Sequence, residues 1–359
     1  MITIQAINVN DALHLGAQMI RKVGVQRDSR NGPVLMAPGP VSTVYTSPTE
    51  RVMLQPGRDA NPFFHLVEAL WMLAGRNDLA PLTRYVKNMK SFSDDGGRTQ
   101  PGAYGFRWRE QFDYRKQEAL DQVRWAIRRL KADPNDRRVV IQMWDPAADA
   151  WAADNGGRDV PCNLVALPAV GVDGRLNLTV FNRSNDMVWG AYGANAVHFS
   201  VLQEYIAAQL GIAVGVYWQV ANNFHAYLAT LAKAGEAWPW GEEHDPYGTH
   251  QVHTLPMFQW EGSRYTDEEL LDDLDMFFRE PSRVGIRNPF LRRVACPMVL
   301  AHQAYKAAGG LSGIAAAREV LEQMPADSDW RAGATLWLNN REAKLRREAD
   351  DGVSHEADS

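Results

Sequence analysis

Cysteine is nearly missing from this chain: 359 residues contain only Cys162 and Cys296. Two thiols cannot build a disulfide framework, and without a CxxC spacing they cannot chelate a structural metal, so a reducing compartment and no metal centre are expected. Long apolar runs are missing too. No segment approaches the roughly 20 residues that cross a bilayer, and the N-terminal MITIQAINVNDALHLGAQMIRKVG lacks the charged-then-apolar layout of a secretory signal. The expectation is a soluble, cytoplasmic protein with no membrane partner. There is no surplus of positive charge either. A formal net charge of −5 argues against direct nucleic-acid binding, which needs clustered Lys and Arg against phosphates. Any phosphate recognised here should sit on one small molecule.

What is present suits a large enzyme. With 45% hydrophobic residues the chain can bury a substantial core, as one large domain or one domain with an appendage. The reading is a catalytic domain over residues 1–240, a helical C-terminal extension over 241–345 and a solvated, disordered tail over 346–359.

Helical spacing of apolar residues runs from Asp11 to Gly24, and the Gly- and Pro-rich SRNGPVLMAPGP predicts a loop. STVY and RVMLQP read as short strands. Asn61-Pro62 opens a helix through FFHLVEALWMLAG, closed by Gly75. Residues from Arg84 to Gly102, ending in SFSDDGGRTQPG, read as a polar loop that could serve as a substrate lid. A helix over 116–131, a buried strand in RRVVIQMW and a loop in DPAADAWAADNGGRD follow. NLVALPAVGVDGRLNLTVFNRS predicts two strands joined at Val172-Asp173-Gly174. AVHFSVLQEYIAAQLG predicts a long apolar helix, and VGVYWQVANNFHAY a strand leading into a helix. Further helices are expected in DEELLDDLDMFF, around 298–320 and around 329–348. Strands and helices mixed in this order predict an α/β (α+β) fold, a mixed β-sheet packed with helices.

Several residues could carry chemistry. Cys162 sits in DVPCN at the mouth of a strand, after a Gly-rich loop. A lone Cys is by default a small buried hydrophobe, but Arg183 on the next strand could approach it and favour the thiolate. An ordinary salt bridge from Arg183 to Asp186 is the alternative. Arg137 and Arg138 are adjacent at a strand start, so their side chains alternate and seldom serve one site on the same protomer. They are either solvated surface charge or a phosphate clamp donated across a dimer interface. Glu68 lies on an apolar helix, where a carboxylate is rare without a partner or a proton-relay task. His225 and Tyr227, two apart, would point the same way on a strand. A histidine with Cys162 leaves a cysteine hydrolase open as a rival reading, and a silent nucleotide-binding module as another.

Taken in order, Arg137-Arg138, Pro161-Cys162, Arg183-Ser184-Asn185-Asp186, Asn195 and His225-Ala226-Tyr227 resemble the motif series of the thymidylate synthase family. Upstream, VEALWMLAG resembles the family's helix bearing the catalytic glutamate, assigning Glu68. AYGFRWR resembles its Tyr-Gly-x-x-Trp-Arg turn at Tyr104, Gly105, Trp108 and Arg109. The resemblance spans roughly residues 60–230, and it is the ordered set that is specific.

This resemblance implies a homodimer that binds dUMP and the co-substrate 5,10-methylenetetrahydrofolate. It implies Cys162 as the nucleophile at pyrimidine C6, with Glu68, Tyr104 and Arg183 also catalytic. Arg183 and Ser184 would hold the nucleotide phosphate, joined by Arg137 and Arg138 from the second subunit. Asn195 would read uracil, His225 and Tyr227 the 3′-hydroxyl, and Asp186 and Trp108 the folate.

Three departures bear on the product. SFSDDGG stands where family members carry a tryptophan, Asn163 follows the cysteine where they carry a histidine, and a charged READDGVSHEADS closes the sequence. One residue is also inserted between Gly190 and Asn195. A wetter cavity favours water over hydride at the exocyclic methylene, hence 5-hydroxymethyl-dUMP, the chemistry of phage enzymes that supply modified pyrimidines. Thymidylate synthesis is the alternative.

Overall fold

The structure is a computed structural model describing residues 1–114, 118–234, 245–260, 263–281 and 284–357. The first half contains β1 (Ile2–Ala6), α1 (Val9–Val23), β2 (Val25–Arg27), β3 (Val34–Met36), β4 (Val41–Tyr45), α2 (Pro62–Leu73), α3 (Ala80–Thr83), α4 (Tyr104–Arg109), β5 (Asp113–Tyr114), β6 (Glu118–Ala119), α5 (Gln122–Ala132), β7 (Ile141–Gln142) and α6 (Pro146–Asp154). Then come β8 (Asn163–Val170), β9 (Leu176–Asp186), a π-helical turn (Met187–Ala194), α7 (Asn195–Leu210), β10 (Val214–Tyr227), α8 (Leu228–Ala234), α9 (Asp267–Arg279), α10 (Cys296–Ala308), α11 (Gly310–Leu321) and α12 (Asp329–Ala357).

The main sheet is mixed, in the order β1-β4-β10-β9-β8-β7, with β3 also on β10 and β2 on β3. β10 runs parallel to β9 and antiparallel to β4, while β8 and β9 form the antiparallel hairpin expected from its Asp-Gly turn. Leu176, Leu178 and Val180 of β9, with Tyr217 and Ala221 of β10, are buried on one face of this sheet, which α7 covers. The opposite face carries Val165, Leu167, Thr179, Phe181, Trp218 and Val220, aligned across β8, β9 and β10 by register. These side chains are only partly buried, and Phe181 is 37% exposed.

α2 starts where expected: Asn61 accepts the Phe64 N–H and Pro62 takes the first turn. Nearly every residue of this helix is buried, because it is covered by α7 on one side and by α10 and α12 on another. α7 ends at Gly211 with φ 76°, a left-handed cap. The segment before Asn195 forms a π-helical turn, with a kink at Tyr192 and Gly193.

Several local expectations are corrected. RVMLQP is not a strand. Its amides bond side chains instead, Val52 N–H to Tyr247 and Leu54 N–H to Asn10, so it runs buried without a strand neighbour. Within the predicted loop 29–40, Val34–Met36 pairs with β2 and β10. RRVVIQMW contributes only the two residues of β7. DPAADAWAADNGGRD contains α6, capped by the Asp145 carboxylate on the Ala147 and Ala148 amides. The helix predicted over 116–131 begins at Gln122, capped by Asp121, and residues 115–117 lie outside the described residues. Gly309, at φ 64°, splits the region 298–320 into α10 and α11. The stretch from 346, expected without structure, is helical to Ala357. The proposed boundary at 240/241 lies outside the described residues.

Candidate active site

Cys162 closes the loop before β8 and stays partly accessible as a free thiol. It lines a cleft of about 530 Å³ together with Arg30, Phe92, Trp144, Asp159 and Arg183. Tyr104, at the start of α4, fixes the loop: its hydroxyl oxygen accepts the Cys162 N–H at 3.2 Å and the Asn163 N–H at 3.4 Å. α4 can approach α2 this closely because of Gly105, where an added Cβ would lie 1.9 Å from the Met72 carbonyl oxygen.

Arg183 is tied into the same loop. Its Nε donates to the Pro161 carbonyl at 2.7 Å and its Nη2 to the Val160 carbonyl at 2.8 Å, in place of the salt bridge to Asp186. Burial pushes the Cys162 thiol above its ordinary pKa; Arg183 and Arg30 pull it down and Asp159 pushes it up. The expected effect of Arg183 is present, but burial outweighs it. Asp159 is itself raised, chiefly by burial, although its Oδ2 accepts the Gly102 N–H at 2.6 Å.

Glu68 is buried and its Oε2 meets His198 Nε2 at 2.9 Å. His198 lies one turn after Asn195 on α7, so the two share a helix face. His65 lies one turn before Glu68; burial first, then Arg58 and His198, push its pKa down to about 3, which keeps it neutral. Neither histidine was picked out from sequence, although a buried carboxylate at Glu68 called for a partner. Arg30, in the Ser-Arg-Asn-Gly loop, was also missed. A lone arginine amid glycine and asparagine was its only signal.

Asn195 is buried within a row of amides. Its Oδ1 accepts from Asn163 Nδ2 at 3.2 Å and its Nδ2 donates to Asn185 Oδ1 at 3.1 Å. Asn185 Nδ2 donates to Gln219 Oε1 at 2.6 Å, and Gln219 Nε2 donates to the Ala191 carbonyl at 3.2 Å. Asn182 donates to Asn163 Oδ1 at the far end.

Asp186 caps the π-helical turn through Oδ1, which accepts the Val188 and Trp189 amides. Its Oδ2 is buried without a partner, and burial pushes its carboxyl above the ordinary range against the Trp189 amide and His225. Trp189 beside it is 58% exposed, with the Arg58 guanidinium stacked at 4.4 Å.

His225 and Tyr227 sit on β10, their rings edge-to-face at 5.6 Å, and His225 Nδ1 meets Asn223 Oδ1 at 3.0 Å. His225 pairs in register with Asp186, and Ser184 with Asn223. The histidine is engaged with Asn223, with no hydrogen bond to Cys162, which removes the geometric basis of a cysteine hydrolase.

Of the expected residues only Cys162 and Arg183 line the cleft itself, and three of the others sit where their expected role does not lead. Trp108 is 1% exposed and packs on Phe199 at 5.9 Å, so this indole is a core element and not a surface for folate. Arg137 and Arg138 are exposed and outside the Cys162 cleft. The Arg138 side chain, 75% exposed, holds Asp136 at 2.7 Å.

No helix among the described residues is long and apolar enough to cross a membrane, and no metal-ligating cluster is found among them. The family model described as Thymidylate synthase matches residues 18–248. A Pseudomonas phage M6 protein named Deoxyuridylate hydroxymethyltransferase is 46% identical, covering 99% of this chain and 100% of its own. A Bacillus phage SP01 protein of the same name is 41% identical over 53% of this chain and 49% of its own. A Thymidylate synthase from Symbiobacterium thermophilum is 34% identical over 47% of this chain and 61% of its own. Matched by the family model over residues 18–248 and by a relative 46% identical along 99% of its length, the chain belongs to the thymidylate synthase family.

Proposed function

We infer that this chain transfers a one-carbon unit to C5 of dUMP through a covalent Cys162 adduct and releases 5-hydroxymethyl-dUMP. One observation carries the reading: Cys162 lines a cleft with Arg183 and Arg30 while Tyr104 binds its loop, in a chain alike over 99% of its length to a deoxyuridylate hydroxymethyltransferase.

The chemistry follows from the residues. The Cys162 thiolate bonds to C6, and the C5–C6 electron pair moves onto C5 and O4, making C5 a nucleophile. 5,10-Methylenetetrahydrofolate supplies the methylene carbon that C5 takes up. Tyr104, whose hydroxyl already bonds the Cys162 loop, stands to relay the C5 proton to water; as that proton leaves, the bond from the new methylene to folate nitrogen breaks, releasing tetrahydrofolate and leaving an exocyclic methylene on C5. Glu68, held by His198, passes protons at O4 and at the water that adds to the exocyclic methylene. C6–S cleavage then restores the C5–C6 double bond and frees Cys162.

Arg183, Ser184 and Arg30 hold the phosphate, His225 and Tyr227 the deoxyribose, Asn195 the uracil edge. Asp186 and Trp189 receive the folate ring. Water wins over hydride because the cleft at Cys162 is lined by the charged Arg30, Arg158, Asp159 and Arg183. We place the reaction in the cytoplasm of a phage host, where nucleotide and folate are held.

The partly exposed apolar face of the sheet, with Phe181, Trp218 and Val220, suits a second copy of the chain. Arg137 and Arg138 would then reach the other subunit's phosphate. Mixing Arg138→Ala with Cys162→Ser should restore part of the activity each lacks; no recovery counts against a shared site.

The main test is incubation with dUMP and methylenetetrahydrofolate. Nucleotide turnover without the absorbance growth of dihydrofolate, and a product heavier by CH2O, is expected. Dihydrofolate formed in step with product would establish thymidylate synthesis instead.

A further inference from the structure

An asparagine does not by itself choose between uracil and cytosine. With its oxygen toward N3 and its nitrogen toward C4 it matches the N3–H and O4 of uracil; turned over, it matches the N3 and amino group of cytosine. Discrimination therefore depends on what fixes the rotation of the amide, two orientations of nearly identical shape.

In this chain the rotation is fixed from outside. The Ala191 carbonyl can only accept, so Gln219 must direct Nε2 to it at 3.2 Å and turn Oε1 to Asn185. Asn185 must then donate to Gln219 at 2.6 Å and present its oxygen to Asn195 at 3.1 Å. Asn195 consequently donates toward Asn185 and accepts from Asn163 at 3.2 Å. Each amide in the row is buried, so water cannot stand in for a mismatched neighbour, and one reversed amide sets two like atoms face to face. Gly190 belongs to the same device, since a Cβ there would lie 2.3 Å from Asn185 Oδ1. Asn195 keeps one hydrogen and one lone pair unused by the row, the number needed for two bonds to a base edge.

We propose that Gln219, Asn185 and Asn163 are specificity-determining positioning residues: the row of amides, polarised from the Ala191 carbonyl, locks Asn195 in the orientation that accepts uracil and refuses cytosine. This rests on the assignment of Asn195 to the base edge made above.

The test is a pair of isosteric substitutions on either side of Asn195, read as the ratio of kcat/KM for dUMP to that for dCMP. Asn185→Asp keeps an acceptor facing Asn195 while it loses the donor to Gln219 Oε1, so stability should fall but the ratio should hold or rise. Asn163→Asp places an acceptor against Asn195 Oδ1 and drives the amide over, so the ratio should fall at least about tenfold. Gln219→Leu removes the anchor and should lower the ratio without added charge. Should turnover be too slow in a variant, the ratio of dUMP to dCMP dissociation constants by calorimetry carries the same prediction. Equal or same-direction movement by the two aspartates, with wild type still turning over dUMP, overturns the inference alone. Wild type inert toward dUMP removes the reading beneath it, and the inference with it.

Discussion

Gly105→Ala is a one-carbon change that should disconnect the nucleophile without touching it. The new Cβ would fall 1.9 Å from the Met72 carbonyl oxygen and 2.3 Å from its Cα, whereas ordinary contact begins near 3.4 Å. α4 must therefore withdraw from α2 by about 1.5 Å, an overpacking worth about 1–3 kcal/mol of stability. Tyr104 precedes the glycine and travels with it. Its bonds to the Cys162 and Asn163 amides, 3.2 and 3.4 Å long, have little slack before they cease to be hydrogen bonds. A displacement near 1 Å in a reacting constellation costs about 10²-fold in rate. Urea unfolding should show the stability loss, and tritium release from [5-³H]dUMP should fall about 100-fold even where the variant is fully folded. A variant folded to within about 0.5 kcal/mol of wild type and releasing tritium at the wild-type rate would refute the coupling of α2, Tyr104 and Cys162.

Three further outcomes are expected. Glu68→Gln keeps a hydrogen-bonding partner for His198 and should unfold at a urea concentration near wild type, while turnover drops about 10²–10⁴-fold; a fall in stability matching the fall in activity would make Glu68 structural. Asp159→Asn removes an anion that disfavours the Cys162 thiolate, so the pH profile of iodoacetamide alkylation should move to lower pH, and an unmoved profile would separate the two groups. Asp329, buried beside Tyr247, has its pKa raised from 3.8 to about 7 by burial. The native state thus retains a proton that the unfolded chain loses from about pH 4 upward, so wild-type stability declines between about pH 4 and 7 and stays lower above that window. Asp329→Asn should flatten the decline and gain on the order of 4 kcal/mol over wild type at pH 8 relative to the difference at pH 4; parallel stability curves would refute it.

Much of the frame was legible because it is written locally. α1, α2 and α7 announce themselves by apolar spacing and end groups, and the β8–β9 hairpin by its Asp-Gly turn. RVMLQP has the composition of a strand but lies where Asn10 and Tyr247 occupy its amides, and only the tertiary structure can supply or withhold a strand neighbour. α6 was hidden because its signal is a cap, Asp145 before Pro146, inside a stretch rich in loop residues. At the site, Cys162, Arg183 and Tyr104 were recoverable as types in order. The balance of forces on the thiol was not, since burial is a sum over the whole fold. Trp108 shows the converse error: a motif residue taken for a ligand surface is a core side chain against Phe199.

The C-terminal helices explain a feature of α2 that the catalytic region alone leaves odd. A helix apolar nearly all round must be covered all round, and α7, α4 and α3 cover only part of it. α12 supplies Trp337 edge-on to Phe63 at 5.5 Å, and α10 supplies His302 at 5.4 Å from the same ring. Asp329 at the head of α12 accepts from the Tyr247 hydroxyl, whose oxygen also receives the Val52 amide in the segment that leads to α2. Arg341 lower on the same helix holds Asp59, three residues ahead of Pro62. The extension thus grips α2 at Phe63 in its first turn and along the chain leading into it, and α2 carries Glu68. A carboxylate that must meet His198 at hydrogen-bond distance needs a helix that does not slide, and in this chain part of that restraint comes from residues beyond 290.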